Sequence, residues 1–404
     1  MKTKMGSDKG ILTGKKILLG VTGGIAVYKA VELVRLFKGL GAAVRVVMTE
    51  NACQFVTPLT FQAISGEKVL TDLFDPASEL AIGHIELARW ADVLVVAPAT
   101  ANTIAKIAHG IADDYLTTVV VAATCKVLVC PAMNTKMYQN PVTQNNLELL
   151  KGYGYCVIGP GKGELACGDK GPGRLEDLEI IAEHVISALT QKSLEGKRVL
   201  VTAGPTWEAF DPVRFFTNPS SGKMGYAMAK IAWRRGADVT LVSGPTWLDA
   251  PHGVKCKKVK SAEEMCDAVV AEYGDTDIVV MAAAVSDYRP KHFTPSKIKK
   301  GEDDVVLEMI RNPDILKKLG SAKVHQILVG FAAETDELIE NAREKLVSKN
   351  LDMIVANDVS APQAGFRCDT NIVKILYKSG EIEELPCMSK EDLASEIWDR
   401  IENL

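Results

Sequence analysis

Small polar residues follow four buried apolar runs in the first half of the chain, a pattern suited to binding a phosphate and a flat heterocycle. The runs end in Thr22-Gly23-Gly24, Thr49-Glu50-Asn51, Pro98 to Thr103 and Pro131 to Asn134. A single end of this kind would be explained as a tight turn, but four converging ends present open backbone amides and hydroxyls around one crevice. We therefore expect a binding crevice at this edge that requires no net charge.

Two side chains of the first half, His84 and Cys167, have types that transfer protons. His84 lies in a helix-like segment, where a lone histidine is more often structural. Cys167 begins a stretch in which four of eight residues are glycine or proline, which indicates a flap rather than a core. The nearby cations Lys170 and Arg174 favour a reactive thiol that could donate or accept a proton.

The second half carries cations that could hold a triphosphate. They are Lys297, Lys299 and Lys300 in one cluster, and Lys345 and Lys349 spaced i,i+4 on one helix face. Either group alone is typical of a solvated surface. Small residues at two predicted strand ends, 282–287 and 330–335, favour a triphosphate over a crevice when they are combined with the lysines. Asp211 and Asn218 add a polar loop that we expect at the same edge.

The elements that must position these residues alternate between apolar β-branched runs and amphipathic helical stretches, which is typical of parallel sheets covered on both faces. The predicted strands are 16–21, 44–48, 93–97 and 127–130 in the first half, and 198–202, 238–242, 278–282, 327–330 and 353–356 in the second. A periodic helix near 175–189 and a polar stretch at 190–197, which resembles a linker, separate the two sets. We predict two Rossmann-like, doubly wound α/β domains, 1–190 and 191–404.

Composition excludes several classes of function. The 404 residues carry 47 Lys+Arg against 51 Asp+Glu, a net charge of −4, so no global basic field favours nucleic-acid binding. No apolar run reaches 18 residues and no signal peptide is evident, so we expect a cytoplasmic protein that is not in a membrane. Nine cysteines without a Cys-x-x-Cys pair argue against disulfides and a cysteine zinc site. Neither a Gly-x-Gly-x-x-Gly turn nor a complete P-loop is present, which disfavours tandem NAD-dependent dehydrogenases.

Taken in order, several motifs resemble those of the bifunctional phosphopantothenoylcysteine decarboxylase/phosphopantothenate–cysteine ligase family of coenzyme A biosynthesis. They are Gly83-His-Ile-Glu-Leu87, Pro131-Ala-Met-Asn134 with Met137, Ala166-Cys-Gly-Asp169, Asp211-Pro-Val-Arg214, Ser220-Ser-Gly-Lys-Met-Gly225, Lys297-Ile-Lys-Lys300 and Ala356-Asn-Asp-Val359. The resemblance covers nearly the whole chain. It implies a flavodoxin-like flavoprotein domain followed by a nucleotide-binding ligase domain.

For the first domain, the resemblance implies an FMN-dependent decarboxylase. FMN would contact Gly23, Gly24, Ile25, Thr49, Asn51, Thr100, Ala101, Asn102, Thr103 and Ala132. His84 would be the catalytic base, Asn134 would hold the substrate carboxylate, and Cys167 would be the proton donor on a closing flap. The family also implies trimers that assemble through this domain and dimers through the other.

For the second domain, the resemblance implies a ligase that uses CTP and Mg²⁺ to join L-cysteine to 4′-phosphopantothenate. CTP would contact Met281, Ala282, Ala283, Asp287, Lys297, Asn312, Pro313, Asp314, Ile315, Phe331, Lys345 and Lys349. Asn218 would assist formation of the acyl-cytidylate, and Lys297 would lie on a flap over the triphosphate.

Two alternatives share the first-half motifs: a flavin decarboxylase acting on peptidyl cysteines, and a flavoprotein that serves as a regulatory subunit. The ligase motifs argue against the first, and the cysteine flap argues against the second. Two positions depart from the family pattern: Tyr138 replaces a frequent tryptophan, and Trp207 replaces a frequent arginine near a phosphate-binding loop.

Overall fold

The protein, described by a computed structural model, forms two compact units, Met1–Gln191 and Lys192–Leu404. The structure describes residues 10–73, 83–165, 168–300, 305–334, 338–358 and 370–404. Each unit has a central sheet with apolar clusters and helices on both faces. The predicted pair of Rossmann-like α/β domains is therefore confirmed.

The first unit is built on a five-stranded parallel sheet with the order β2-β1-β3-β4-β5. Its strands are β1 (Lys16–Val21), β2 (Ala43–Met48), β3 (Val93–Ala99), β4 (Lys126–Pro131) and β5 (Cys156–Val157), followed by the antiparallel hairpin of β6 (Gly161–Glu164) and β7 (Lys170–Arg174). The central strand β3 is buried along its whole length because helices cover both faces of the sheet.

The helices of the first unit pack in two layers. They are α1 (Val27–Gly39), α2 (Glu50–Cys53), α3 (Pro58–Ser65), α4 (Gly83–Trp90), α5 (Ala101–Ala108), α6 (Tyr115–Ala122), α7 (Thr135–Gln139), α8 (Pro141–Gly152) and α9 (Leu178–Leu189). Buried side chains of α1, α3 and α9 form the core on one face, and those of α4, α5, α6 and α8 form it on the other.

The second unit is built on an eight-stranded sheet with the order β12-β11-β8-β13-β16-β17-β18-β19. The strands of this unit, including two small separate hairpins, are β8 (Arg198–Ala203), β9 (Glu208–Ala209), β10 (Phe215–Phe216), β11 (Asp238–Ser243), β12 (Lys255–Lys258), β13 (Ile278–Met281), β14 (Tyr288–Pro290), β15 (Met309–Arg311), β16 (Ile327–Glu334), β17 (Met353–Asp358), β18 (Thr370–Tyr377) and β19 (Ile382–Ser389). Strands β12 to β17 of the large sheet are parallel, and β18 and β19 add an antiparallel edge. The strand order reverses direction between β8 and β13, the position where such sheets bind ligands.

Helices cover both faces of the second sheet. They are α10 (Lys223–Arg234), α11 (Ala262–Tyr273), α12 (Ile315–Ser321), α13 (Leu338–Ser348) and α14 (Lys390–Ile401). α10 and α14 share one core, in which the fully buried Trp398 donates through Nε1 to Met228 O at 2.9 Å. α11, α12 and α13 pack on the opposite face.

The polar stretch at 190–197, interpreted as a linker, is largely part of the second unit, so that interpretation is wrong. Leu194 is buried, and its backbone N–H donates to Arg235 O at 3.1 Å. Lys192 donates to Arg234 O at 2.7 Å, and Ser193 donates to Glu402 at 2.8 Å. Residues 192–194 of the stretch are therefore held against the ends of α10 and α14, while Glu195, Gly196 and Lys197 are exposed.

Candidate functional site

A cleft of about 1150 Å³ opens at the carboxyl edge of the first sheet. We call it the first cleft. All residues that the resemblance implied for flavin binding line it: Gly23, Gly24, Ile25, Thr49, Asn51, Thr100, Ala101, Asn102, Thr103 and Ala132. They come from the turns after four strands, β1 to β4, and the remainder of the lining includes the β6–β7 hairpin.

Hydroxyl groups hold the turns of the first cleft in place. Thr22 Oγ1 donates to Pro98 O at 2.7 Å and accepts from Thr100 N at 3.0 Å, which ties the turn after β1 to the turn after β3. Thr49 and Thr100 each accept a backbone N–H at the start of the helix that follows. The cleft walls are therefore fixed by local hydrogen bonds before any ligand binds.

Gly23 allows the turn after β1 to lie directly against the turn after β2. A Cβ at position 23 would lie 2.4 Å from Asn51 Cβ and 2.8 Å from the Asn51 carbonyl carbon. No other residue fits without moving the second turn. The two turns therefore present their backbone groups side by side to the cleft, an arrangement that suits a phosphate.

Asn134 lies where β4 passes into α7, and both ends of its amide are oriented. Its Oδ1 accepts from Lys136 N at 2.8 Å and caps α7, while Nδ2 donates to Asp169 Oδ2 at 2.9 Å. Because Oδ1 is directed at the helix, Nδ2 faces the β6–β7 hairpin and the first cleft. Asn134 Nδ2 is therefore oriented as a hydrogen-bond donor toward a carboxylate acceptor, here that of Asp169.

The β6–β7 hairpin packs directly on the segment that carries Asn134. Met133 N donates to Gly173 O at 2.9 Å, and a Cβ on Gly173 would lie 2.3 Å from Met133 O. At the hairpin tip, Leu165 N donates to Asp169 O at 2.8 Å. Cys167 lies outside the described residues, between these two anchored ends of the tip.

His84 is half-buried in the first turn of α4, and it is not among the residues that line the first cleft. The structure therefore does not bring it to Asn134 within one chain. Tyr138, which replaces a tryptophan frequent in the family, packs against the core under α5 and α8 and does not line the cleft either.

A charged group at the rim of the first cleft was missed by the sequence analysis. Lys106 Nζ lies 2.7 Å from Asp113 Oδ1 and 3.3 Å from Asp114 Oδ2, and all three residues line the cleft. The hydrogen bond with Asp113 raises the pKa of Lys106 and lowers that of Asp113. One feature of the sequence could have pointed to this part of the cleft: Asp114 and Thr117 have the spacing of a capping box, and they form the one that starts α6.

A second cleft, of about 470 Å³, opens where the strand order of the second sheet reverses. Every residue that the resemblance implied for CTP except Lys297 lines it: Met281, Ala282, Ala283, Asp287, Asn312, Pro313, Asp314, Ile315, Phe331, Lys345 and Lys349. Asn218 also lines it, and its Nδ2 donates to Ala284 O at 3.2 Å and to Val285 O at 3.3 Å.

Polar contacts hold the loops of the second cleft. Asn312 Nδ2 donates to Ser286 O at 2.8 Å, and Asn312 N donates to Asp287 O at 2.8 Å, which joins the loops after β13 and β15. Lys349 Nζ lies 3.0 Å from Asp314, the residue that caps α12. Lys349 is therefore directed across the cleft from α13 to the start of α12.

Lys297 is exposed and is not among the lining residues, so the structure does not place it with the other predicted CTP contacts. Trp207 does not line the second cleft either; its ring stacks on Phe215 with the centroids 4.1 Å apart. The sequence analysis missed Asn357, Asn371 and Lys390, which do line the cleft. Asn371 lies near the start of β18 and Lys390 follows β19, two strands that the apolar pattern did not predict.

Within the described ranges, no cluster of three histidine, cysteine or acidic side chains could hold a metal ion by itself. None of the helices in that part of the chain combines the length and apolar character that a membrane crossing requires.

The fold and the two clefts define a flavoprotein unit followed by a nucleotide-type unit, and family models match both. Residues 5–190 match the model described as Flavoprotein, and residues 194–404 match the model described as DNA/pantothenate metabolism flavoprotein C-terminal domain. Solved structures that match parts of the chain include the C-terminal domain of a coenzyme A biosynthesis bifunctional protein CoaBC, with 48% identity, 53% of this chain, 97% of that chain and a TM-score of 0.46.

Curated relatives match along nearly the whole chain. The coenzyme A biosynthesis bifunctional protein CoaBC of Bacillus subtilis (strain 168) is 53% identical over 395 residues, which cover 97% of each chain. The proteins of the same name from Vibrio cholerae and Escherichia coli (strain K12) are 51% and 48% identical, over 96% of this chain and 97% of theirs. The chain belongs to the family of coenzyme A biosynthesis bifunctional proteins, and the resemblance found in the sequence is confirmed.

Proposed function

We propose that the two clefts catalyse consecutive reactions of coenzyme A biosynthesis, one in each of the domains 1–190 and 191–404. The second cleft joins L-cysteine to 4′-phosphopantothenate through an acyl-cytidylate and converts CTP to CMP and pyrophosphate. The first cleft decarboxylates the resulting 4′-phosphopantothenoylcysteine to 4′-phosphopantetheine with FMN. A bifunctional decarboxylase and ligase is the enzyme that family membership implies for a chain that matches along both halves.

The lining of the first cleft fits FMN by its donor set. The backbone groups of Gly23 and Gly24 and the capped helix start at Thr100 offer N–H donors for a phosphate, while Ile25 and Ala132 offer apolar contact for a ring. When bound, FMN would supply the reversible oxidation that converts the CH₂–SH group of the substrate to C=S, which lies β to the carboxylate and accepts the electron pair left by loss of CO₂. The chain itself binds and orients the substrate.

Asn134 holds the substrate carboxylate through Nδ2, whose direction is set by the cap that Oδ1 makes on α7. Cys167 would donate the proton that completes the product, as the family resemblance implies; Asp169, two residues later in the chain, accepts a hydrogen bond from Asn134 Nδ2. Closing of the hairpin over the cleft would exclude water from the reacting atoms.

His84 is proposed to act as the base in the first cleft of a neighbouring copy. The supporting observation is its position at the start of α4, half-buried and away from the cleft of its own chain. A trimer through the first unit would allow this, and a dimer through the second unit is proposed on the family pattern alone.

In the second cleft, the backbone of Met281 to Ala283 would contact the nucleoside, and the lysines would bind the phosphates. Lys345 lies in the last turn of α13 and Lys349 directly follows that helix, with Lys349 N donating to Lys345 O at 3.1 Å, so both ammonium groups can neutralise a triphosphate along one edge. Asn218, held by the loop after β13, is placed to assist the acyl-cytidylate step. Mg²⁺ would neutralise phosphate charge there, and Asp287 and Asp314 are the acidic side chains that line the described part of the cleft and could hold it.

The observation that carries the proposal is that contacts implied from four separate segments, 281–287, 312–315, 331 and 345–349, line one cleft. The test is to incubate the purified protein with 4′-phosphopantothenate, cysteine, CTP and Mg²⁺ and to follow CMP and CO₂ together. We expect one CO₂ for each CMP, and neither AMP nor CO₂ when ATP replaces CTP. CO₂ release that does not depend on CTP in this mixture would contradict the order of the two reactions.

A further inference from the structure

An ion pair between a fully buried carboxylate and an exposed arginine in the second unit joins the segment that carries Lys297 to a separate hairpin. The hairpin is β9–β10 with its connecting loop, residues 208–216, and we call it the arm. The segment is residues 291–300, which contains the three clustered lysines, and we call it the strap. Neither the arm nor the strap belongs to the large sheet, so each depends on other contacts for its position.

Asp211 and Arg214 form the centre of this connection. The Asp211 side chain is fully buried; its Oδ1 accepts from Val213 N and from Arg214 N, each at 2.8 Å. Its Oδ2 accepts from Arg214 Nε at 2.9 Å and from Nη2 at 2.6 Å, a two-pronged pairing. The Arg214 guanidinium carbon lies 5.1 Å from the centre of the Phe210 ring. The arm loop is therefore rigidly organised around one carboxylate.

The same two side chains hold the strap at Ile298. Ile298 N donates to Asp211 Oδ2 at 3.3 Å, and Ile298 O accepts from Arg214 Nη2 at 2.9 Å. A second attachment lies four residues earlier, where Thr294 N donates to Phe210 O at 2.9 Å. Lys297 lies between Thr294 and Ile298 in the chain, directly before Ile298, whose backbone N–H and C=O are both hydrogen-bonded.

Asp211 is charged at neutral pH despite its burial. Burial raises the pKa of the carboxyl, but the hydrogen bonds from Arg214 and from the backbone N–H groups outweigh burial and hold the pKa well below its usual range. A buried carboxylate that loses its charge or its arginine partner would release the contacts it organises. Arg214 would then lose the partner that directs its Nη2 at the strap.

We propose that Asp211, through Arg214 and the backbone of Ile298, anchors the strap beside Lys297, so that Lys297, which is exposed and outside the lining of the second cleft, is held where it can reach a bound triphosphate. Asp211 is a positioning residue, because it touches the strap backbone and not the second cleft. This inference rests on the proposed role of Lys297 in the ligase reaction. The inference explains why the fully buried Asp211 carboxylate lies in the arm, outside the large sheet, and contacts the strap with its three lysines rather than the second cleft.

A double-mutant cycle in the full-length protein tests the coupling. The variants are Asp211→Asn, Lys297→Gln and the combination of the two, each assayed for CMP formation at saturating and at limiting CTP. We expect Asp211→Asn to lower kcat/KM for CTP at least 10-fold in the parent, and less than 2-fold when Lys297 is already Gln. Decarboxylation of 4′-phosphopantothenoylcysteine should be unchanged in all three, which shows that the first unit is intact.

Asp238→Asn is the matched control, because Asp238 also pairs with a cation, Lys255 at 2.9 Å, but is exposed and far along the chain from the strap. We expect it to leave CMP formation unchanged. Limited digestion with trypsin gives a second measurement: cleavage after Lys297, Lys299 or Lys300 should accelerate in Asp211→Asn and not in Asp238→Asn.

The outcomes separate this inference from the function on which it rests. Full ligase activity in Lys297→Gln would overturn both the role of Lys297 and its positioning by Asp211. Suppose that Lys297→Gln lowers ligase activity, and that Asp211→Asn lowers it by the same factor whether position 297 is Lys or Gln. That result would overturn the positioning of Lys297 by Asp211 but not the role of Lys297. Unchanged activity and unchanged trypsin cleavage in Asp211→Asn would do so as well.

Discussion

Replacing Asn134 with aspartate should slow decarboxylation by at least an order of magnitude while leaving the fold of the first unit intact. The new carboxylate can still accept from Lys136 N, so the cap on α7 is retained. The donor Nδ2, however, becomes an oxygen that faces Asp169 Oδ2 at the present 2.9 Å. Two carboxylates at that distance repel, and neither can donate to the substrate carboxylate unless one is protonated.

The size of the effect follows from the hydrogen bond that is lost. A hydrogen bond to a charged acceptor contributes about 1.5–3 kcal/mol, and that free energy corresponds to roughly a 10- to 150-fold loss in kcat/KM. Repulsion between the two carboxylates adds to this loss, so we expect kcat/KM to fall by at least 10-fold. The measurement is CO₂ release from 4′-phosphopantothenoylcysteine, with CMP formation in the same preparation as the reference for an intact second unit.

Asn140→Asp is the matched control for this substitution. Asn140 caps α8 by accepting Val142 N at 2.9 Å, as Asn134 caps α7, but it is exposed and does not line the first cleft. We expect Asn140→Asp to decarboxylate at the parent rate. Parental activity in Asn134→Asp, or an equal loss in Asn140→Asp, would refute the assignment of Asn134 as the carboxylate-binding residue.

Four further predictions concern both units. Lys349→Gln should raise KM for CTP about 10-fold, as expected for loss of one charged contact to phosphate, without changing KM for 4′-phosphopantothenate; an equal rise in both would argue against a triphosphate contact. Cys167→Ser should still release CO₂ but form little 4′-phosphopantetheine, which product analysis by mass spectrometry checks. Trp398→Ala should destabilise the second unit by about 3–5 kcal/mol in urea unfolding, since it empties a fully buried site. The hydrogen bond from Arg400 lowers the pKa of Glu383 below its ordinary value of 4.5. The pair therefore stabilises the fold above pH 4.5, and this contribution is lost as the pH falls through the lowered pKa. Glu383→Gln should unfold at a lower urea concentration than the parent at pH 7, and at nearly the same concentration at pH 3.

The central strands of both sheets were predictable because their side chains are buried on both faces and form continuous apolar runs. Each of the nine predicted strands is present, with bounds that differ by a few residues at most. The edge strands β12 and β19 were missed, and so was β18, which lies between β17 and β19. β12 reads Lys-Cys-Lys-Lys and β19 reads Ile-Glu-Glu-Leu-Pro-Cys-Met-Ser, so neither edge strand forms the continuous apolar run by which the central strands were recognised.

The candidate sites were predictable where ligand contacts follow directly after strands, since parallel strands bring their carboxyl ends to one edge. Lys106 and Asp113 were missed because they reach the first cleft from α5 and from the loop after it, where charge is ordinarily surface charge. Lys390 was missed because it follows the unpredicted strand β19. The position of Lys297 could not be predicted, since it depends on the buried Asp211 in a distant hairpin.

The most direct test of the account is to measure FMN and CTP binding to the same purified chain. FMN is followed by its visible absorbance, and CTP with Mg²⁺ is followed by calorimetry, each in the absence and presence of the other. We predict one FMN and one CTP per chain, with neither displacing the other. Competition between them, or a chain that binds only one of the two, would contradict the assignment of one ligand to each cleft.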